Sequence, residues 1–416
     1  MSLAVTGATL EGRIVGLRAE DGAIAELGLD VEPRPEDEVI DGSGLLLCPP
    51  MVNGHTHAAM TLFRGFGDDM ELMEWLRTRI WPAEAKLEPE DVYWGTRLAC
   101  LEMIRSGTTK FVDMYWHGPE VARAVTDAGV RAVVSSVIID ELDPAKGEAL
   151  RPLVTDVLDR LSEVGPRVQP SLGPHAIYTV SPETLGWVAE LAADRDVPLH
   201  IHLSETEHEV EDCLDAHGKR PAGYLDDLGA LGPRTVLAHG VWLDRHELDL
   251  IAERGATVVA NPAANMKLAV GGMLPYPAAA AAGAALGLGT DGVSSNSNLD
   301  MFEEVKLFAL SQKHASGDPS TLPAGDALAI ARGLGSSVLA GAALAVGEPA
   351  DFLLLRGSDP ELSAGDLEAD LVYAAGGAVV DTTVVAGEVL MRDRQVADAE
   401  EIVAEVRARA RRLTGL

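Results

Sequence analysis

Cysteine is scarce in this chain of 416 residues: Cys48, Cys100 and Cys213 are scattered, with no Cys-x-x-Cys spacing. Neither a disulfide framework nor a zinc knuckle can be built from them, and a reducing cytoplasm is the expected compartment. Bases are scarce too. Only 33 Lys and Arg stand against 65 Asp and Glu, for a net charge of -32. A surface of that sign repels nucleic acid and anionic membranes, so neither is expected as a partner. No run approaches the roughly 18 apolar residues of a membrane span, and the Ala-rich stretch at 278–285 is short and broken by Gly283. The opening residues have no basic stretch leading into an apolar core and do not read as a signal peptide.

What is present is globular: 47% hydrophobic and 24% charged residues, the composition of a packed core and not of a disordered chain. Short strand-like segments fill residues 1–48, among them Arg13–Leu17 and Ala23–Leu27. Strand-like text returns at Asp351–Leu355, Asp370–Ala374 and Thr383–Leu390. Neither end alone has enough strands to be stable, so residues 1–49 and 346–416 are expected to pair into one small discontinuous β-sandwich domain. An amphipathic helix over 399–416 closes it. Between them, residues 50–345 alternate β-branched runs with helical patterns: Leu45–Val52, Phe111-Val112, Ala132–Ile139, Val168–Leu172, Pro198–Leu203, Thr235–Ala238, Thr257–Ala260 and Ala285–Gly289. Eight parallel βα units predict an α/β fold with a TIM-like (β/α)8 barrel. An open doubly wound sheet is the other solution for this pattern, but no Gly-x-Gly-x-x-Gly follows the first strand.

Polar residues cluster where these strands end. His55 and His57 follow the first strand, His175 the fourth, His200, His202 and Glu205 the fifth, His239 the sixth and Asp291 the eighth. Buried His and Asp are costly unless paired or ligated, and the carboxyl ends of barrel strands are where such folds do chemistry. Residues two apart in a strand point the same way, so the imidazoles of His-x-His can grip one ion. His200 lies deeper in its strand than His202 and reads as a satisfied core histidine supporting the site. His117, His208, His217, His246 and His314 lie in polar or helical context and read as surface residues.

Pro50-Met51-Val52-Asn53-Gly54-His55-Thr56-His57-Ala58-Ala59-Met60 resembles the metal-binding opening of the deaminase and chlorohydrolase branch of the amidohydrolase superfamily. Met73–Leu76, Ile80–Glu84, Ser106–Thr109, Gly173–His175, His202–Thr206 and Leu288–Gly292 are similar to the methylthioadenosine/S-adenosylhomocysteine deaminases in particular. The resemblance implies one divalent metal ion, zinc or ferrous iron, on His55, His57, His202 and Asp291. It implies acid/base roles for Glu205, His239 and Asp291, and substrate contacts from Trp75, Glu84, Arg151 and His175. The expected reaction is hydrolytic deamination of an adenosine-type nucleoside, with ammonia released after attack by a hydroxide generated at the metal. The same chemistry serves any electron-poor ring carbon, so a triazine or other aminated or chlorinated heterocycle is the alternative substrate.

Two positions depart from the family pattern. Ala264 stands where Ser is usual, and the loop 140–149 carries no arginine to hold an anionic tail. With Arg151 as the single nearby cation, broad tolerance at the 5′ position is expected. The fourth strand, Val168-Gln169-Pro170-Ser171-Leu172, has no lysine to bridge two metals, which favours a mononuclear site. There is no Pro-Cys-x-x-Cys pair of the cytidine-deaminase type. A homo-oligomer acting on a small molecule completes the expectation.

Overall fold

The computed structural model describes residues 2–29, 31–363 and 365–415. Eight parallel strands carry the central region: Met51–Thr56, Thr108–Tyr115, Arg131–Ile138, Val168–Pro170 continued by Gly173–Pro174, Leu199–Leu203, Thr235–His239, Thr257–Ala260 and Ala285–Leu288. The first four form one ladder and the last four another. Bridges from Leu172 to Leu199 and from Ala176 to His202 join the halves on one side. On the other, the Asp291 N–H donates to the His55 carbonyl at 3.0 Å. Val52, Val112, Val133, Val236 and Val259 pack with Val338 and Leu339 as an apolar plug inside the curled sheet. Five valines fit there because a β-branched side chain packs well on a pleated surface.

The intervening helices carry their own punctuation. Asp244 and Glu247 form a complete capping box at the start of helix Arg245–Arg254. That helix stops at Gly255, whose φ of 72° suits a residue without a Cβ.

Both chain ends do meet in one sheet, in the order Glu388–Met391, Val380–Val385, Phe352–Arg356, Leu45–Cys48, Ser2–Leu10, Arg13–Glu20, Ala23–Gly28. The ladder is continuous and forks at Ser2–Leu10. The first half of that strand pairs Glu38–Asp41 and the second half meets Leu45–Cys48. Its core is its own, built from residues such as Val5, Leu17, Ile40, Phe352 and Val384.

Three strand expectations change, one of them at Thr383–Leu390, which is a hairpin of Val380–Val385 and Glu388–Met391 turning at Ala386-Gly387. The segment Leu45–Val52 is split at Pro49-Pro50: Leu45–Cys48 belongs to the terminal sheet and Met51 starts the barrel. Two prolines without N–H groups cannot continue a ladder. Asp370–Ala374 is not a strand either; Leu367–Tyr373 is a helix whose N-cap Asp366 accepts from the Ala369 N–H at 3.1 Å.

The sheet and barrel are tied by a fork-shaped ion pair. Arg131 Nε and Nη2 donate to Asp351 at 2.7 and 3.0 Å, and Asp351 also accepts from the Ala386 N–H at 2.7 Å. Asp351 is buried, so removing it orphans a guanidinium. Asp351→Ala should destabilise the fold by about 3 kcal/mol, read as a lower urea midpoint; an unchanged midpoint would show the tie to be ornamental.

Candidate metal and catalytic site

His55 ends a fully buried strand and His57 follows it, directly before the 3-10 turn Ala58–Phe63. Each imidazole is pinned through Nδ1. His57 Nδ1 lies 2.6 Å from the Met114 carbonyl and His202 Nδ1 2.7 Å from the His175 carbonyl. Carbonyls only accept, so both Nδ1 atoms donate and the Nε2 lone pairs are left facing inward. Those two Nε2 atoms are 3.2 Å apart. His55 Nδ1 meets His200 Nε2 at 2.8 Å, so His200 supports a candidate ligand from behind, the position expected of it. His55 Nε2 is buried without a hydrogen-bond partner and sits 3.4 Å from Asp291 Oδ1, which is 3.3 Å from His57 Nε2. An orphaned imidazole nitrogen, a carboxylate and two further lone pairs converging on one point fit a divalent transition metal. His55, His57 and Asp291 form one metal-sized group, and His55, His202 and His239 a second that overlaps it.

Electrostatics prepares these groups for a cation. Burial lowers His55 to about 4 and His175 to about 3, and drives His202 well below its ordinary value. All three imidazoles are therefore neutral near pH 7. Burial would raise the Asp291 carboxyl, but His55 and His57 beside it hold it well below the usual range. Asp291 is further fixed by its φ of 60° and by the Ser295 hydroxyl, which donates to Oδ2 at 2.9 Å.

Glu205 faces the same point. It is 6% exposed, burial raises its pKa, and its Oε2 lies 3.8 Å from His239 Nε2. His239 has a φ of 75° and places Nδ1 2.9 Å from Asn265 Oδ1. Burial would lower His239, but the Glu205 and Asp291 carboxylates raise it above its ordinary value. Positive φ at His239 and Asp291 is backbone strain at the two places where side chains are aimed into the cavity.

Trp75, Glu84 and His175 line that cavity with His57, His202, Glu205, His239 and Asp291. Tyr115 donates its hydroxyl to Glu84 Oε1 at 2.7 Å, and His175 Nδ1 pairs with Thr179 Oγ1 at 2.9 Å. Leu72, Leu76 and Ile80 add an apolar wall.

Arg151 does not join them. It sits in the middle of helix Pro144–Ser162, its Nε 2.9 Å from Glu148 and its guanidinium 5.2 Å from the centre of the Trp187 ring. The helix begins seven residues earlier than Arg151, and its turn directs the side chain toward the neighbouring helix Pro182–Arg195. Among the described residues, no Lys or Arg lines the cavity.

Sequence reasoning passed over Tyr115 and Met114. The sequence pattern marks only Phe111-Val112 as the second strand, whereas it runs from Thr108 to Tyr115 and brings Asp113 to Tyr115 to its carboxyl end. Asp113 Oδ1 accepts from the Ala58 N–H at 2.7 Å and so caps the turn that follows His57.

The amidohydrolase family model matches residues 46–390. A 5′-deoxyadenosine deaminase of Methanoregula boonei is 47% identical over 400 residues, 94% of this chain and 90% of that protein. A 5-methylthioadenosine/S-adenosylhomocysteine deaminase of Archaeoglobus fulgidus is 41% identical over 98% of this chain and 97% of that protein. Among solved structures, a zinc-bound adenosine deaminase from Xanthomonas campestris superposes with a TM-score of 0.92 at 32% identity, covering 100% of this chain and 99% of that one.

His200→Ala should keep the fold but weaken metal retention about 10–100-fold, since it removes the group that orients His55. Elemental analysis after dialysis against graded chelator measures this. Unchanged retention would reduce His200 to core filling.

Proposed function

The chain belongs to the amidohydrolase family, and on that premise we propose that it is a metal-dependent hydrolytic deaminase of adenosine-type nucleosides altered at the 5′ position. One observation carries the reading. Glu205 is buried beside His239, in the cavity where the imidazole nitrogens and Asp291 converge, and Glu84 waits across it. The names of the relatives, 5′-deoxyadenosine deaminase and methylthioadenosine/S-adenosylhomocysteine deaminase, support the substrate class. In this reading residues 50–345 are the catalytic barrel, and residues 1–49 with 346–416 are the accessory domain.

His55, His57, His202 and Asp291 would hold one ion, zinc in keeping with the zinc-bound solved relative. A divalent ion held there would lower the pKa of water from about 15.7 toward 7 and would supply the nucleophile. Glu205, buried beside His239, would relay a proton to the ring nitrogen beside the attacked carbon, so negative charge does not build up there. Asp291 takes the proton of the attacking water and passes it to the departing ammonia. His239 orients the attacking oxygen through Nε2. Glu84, held by Tyr115, accepts hydrogen bonds from neighbouring ribose hydroxyls, with His175 beside the sugar and Trp75 against the substrate.

The 5′ end is where the reading sharpens. With Arg151 turned toward Trp187 and an apolar wall of Leu72, Leu76 and Ile80, a desolvated carboxylate would find no cation. A hydrogen or methylthio group at C5′ suits that wall.

Three measurements test the reading. Ammonia release should be seen with 5′-deoxyadenosine and 5′-methylthioadenosine, and kcat/KM for each should exceed that for S-adenosylhomocysteine by about tenfold; preference for the charged tail would overturn the 5′ assignment. Glu205→Gln should retain metal yet lose about 10²–10⁴-fold in kcat, and full turnover with metal bound would remove Glu205 from the chemistry. Glu84→Ala should cost far more with a nucleoside than with free adenine, because only the nucleoside offers hydroxyls to the carboxylate. Turnover of triazines in preference to every nucleoside would favour the heterocycle reading.

A further inference from the structure

Helix Glu207–His217 starts in an unusual way. Thr206 is its N-cap, and its hydroxyl accepts from the Glu209 N–H at 3.2 Å. That is half of a capping box. The other half would be the Glu209 carboxylate returning to the Thr206 N–H. The same motif is complete elsewhere in the chain: at helix Arg245–Arg254 the Glu247 side chain accepts from the Asp244 N–H at 3.1 Å, and Asp244 accepts from the Glu247 N–H at 2.9 Å.

Glu209 reaches past its N-cap instead. Its Oε1 accepts from the Ser204 N–H at 2.8 Å and its Oε2 from the Glu205 N–H at 2.9 Å. Both oxygens of a buried carboxylate, on a residue 4% exposed, are thus spent on two consecutive backbone donors. The backbone there needs holding, because Ser204 sits at a φ of 51°, a conformation that strains a residue with a side chain. Relaxation of Ser204 would swing the next residue, and the next residue is Glu205. The Ser204 carbonyl is tied as well, accepting from the Trp242 N–H at 2.9 Å, so the peptide is gripped from both sides.

We infer that Glu209 is a positioning residue for Glu205, a carboxylate clamp that fixes the strained Ser204-Glu205 backbone and so aims the proton-carrying side chain at the substrate. The inference rests on the role proposed above for Glu205. A carboxylate is the fitting group because it is acceptor-only and offers two oxygens to two parallel donors. An amide of the same shape presents its NH₂ to one of those N–H groups, and the clamp opens on one side.

A double-mutant cycle on the metal-loaded enzyme tests this. Glu209→Gln should lower kcat for 5′-deoxyadenosine about 10–100-fold, the scale of a small misplacement of a catalytic group. KM should change less than about threefold, and metal content should stay that of wild type. In the Glu205→Gln background the same substitution should have almost no further effect on kcat, because a residue acting only through Glu205 has nothing left to position. An equal loss in both backgrounds, or a loss tracked by KM or metal content, would overturn the inference in favour of a general structural role. Unchanged kcat in Glu209→Gln would overturn it outright. A wild type inactive on every nucleoside would instead overturn the deaminase reading, and the inference with it.

Discussion

The constraint behind this molecule is the cost of bringing imidazoles and carboxylates together out of bulk water. The chain meets it with backbone. The Met114 carbonyl takes His57 Nδ1, and the His175 carbonyl takes both the ring Nδ1 and the backbone N–H of His202. The two seams that join the half-barrels use the same residues. His200 N donates to the Leu172 carbonyl and His202 N to that of His175 on one side; Asp291 N donates to the His55 carbonyl on the other. Closing the barrel and bringing the candidate metal donors together therefore use the same hydrogen bonds. A register slip at either seam would lose both.

That coupling explains the strain. Ser204, His239 and Asp291 each adopt a positive φ just where a strand gives way to its loop. A relaxed backbone would let these side chains turn outward and hydrate. The surrounding hydrogen bonds hold them inward: Glu209 on Ser204 and Glu205, Asn265 on His239, Ser295 on Asp291. Glu209 itself is pushed up to about 7 by burial, against its two backbone donors. Burial of this kind is tolerable only while both donors stay in place, which makes the clamp and the conformation it holds mutually dependent.

Much of this was legible in the residues. His-x-His, the distant His202 and His239, and Asp291 all stand at strand ends, and the period-two rule places such groups without knowledge of tertiary contacts. His200 was legible in part: it lies one pleat deeper on the face of His202 and pairs with His55 through Nε2, but its Nδ1 is buried without a partner. Arg151 was not. Whether a mid-helix arginine faces the barrel mouth or a neighbouring helix depends on where the helix starts, and Asp143 and Pro144 start it early enough to turn Arg151 onto Trp187. Glu209 was hidden differently. It stands in a run of acids, Glu205, Glu207, Glu209 and Glu211, whose members are indistinguishable until the helix phase is known. That the two chain ends pair was legible, but the register of Leu45–Cys48 on Phe352–Arg356, across some three hundred residues, leaves no local trace.

In the function proposed above, chemistry and selectivity would come from different parts of the chain, and this has a physical consequence. The converging nitrogens, Asp291, Glu205 and His239 hang from strands or from the first residues beyond them, in a ladder whose geometry is stiff. The wall made by Leu72, Trp75, Leu76 and Ile80 comes from short helical turns between Leu72 and Glu84 that lie outside any strand pairing. Glu84 is the link between the two, since Tyr115 at the end of the second strand holds it. Side chains of the wall can change size without shifting a ring nitrogen, so in the proposed reading a 5′ preference would be free to vary while the converging nitrogens would not. Only at Glu84 and Tyr115 would a change in recognition be transmitted to the strand whose Met114 carbonyl orients His57.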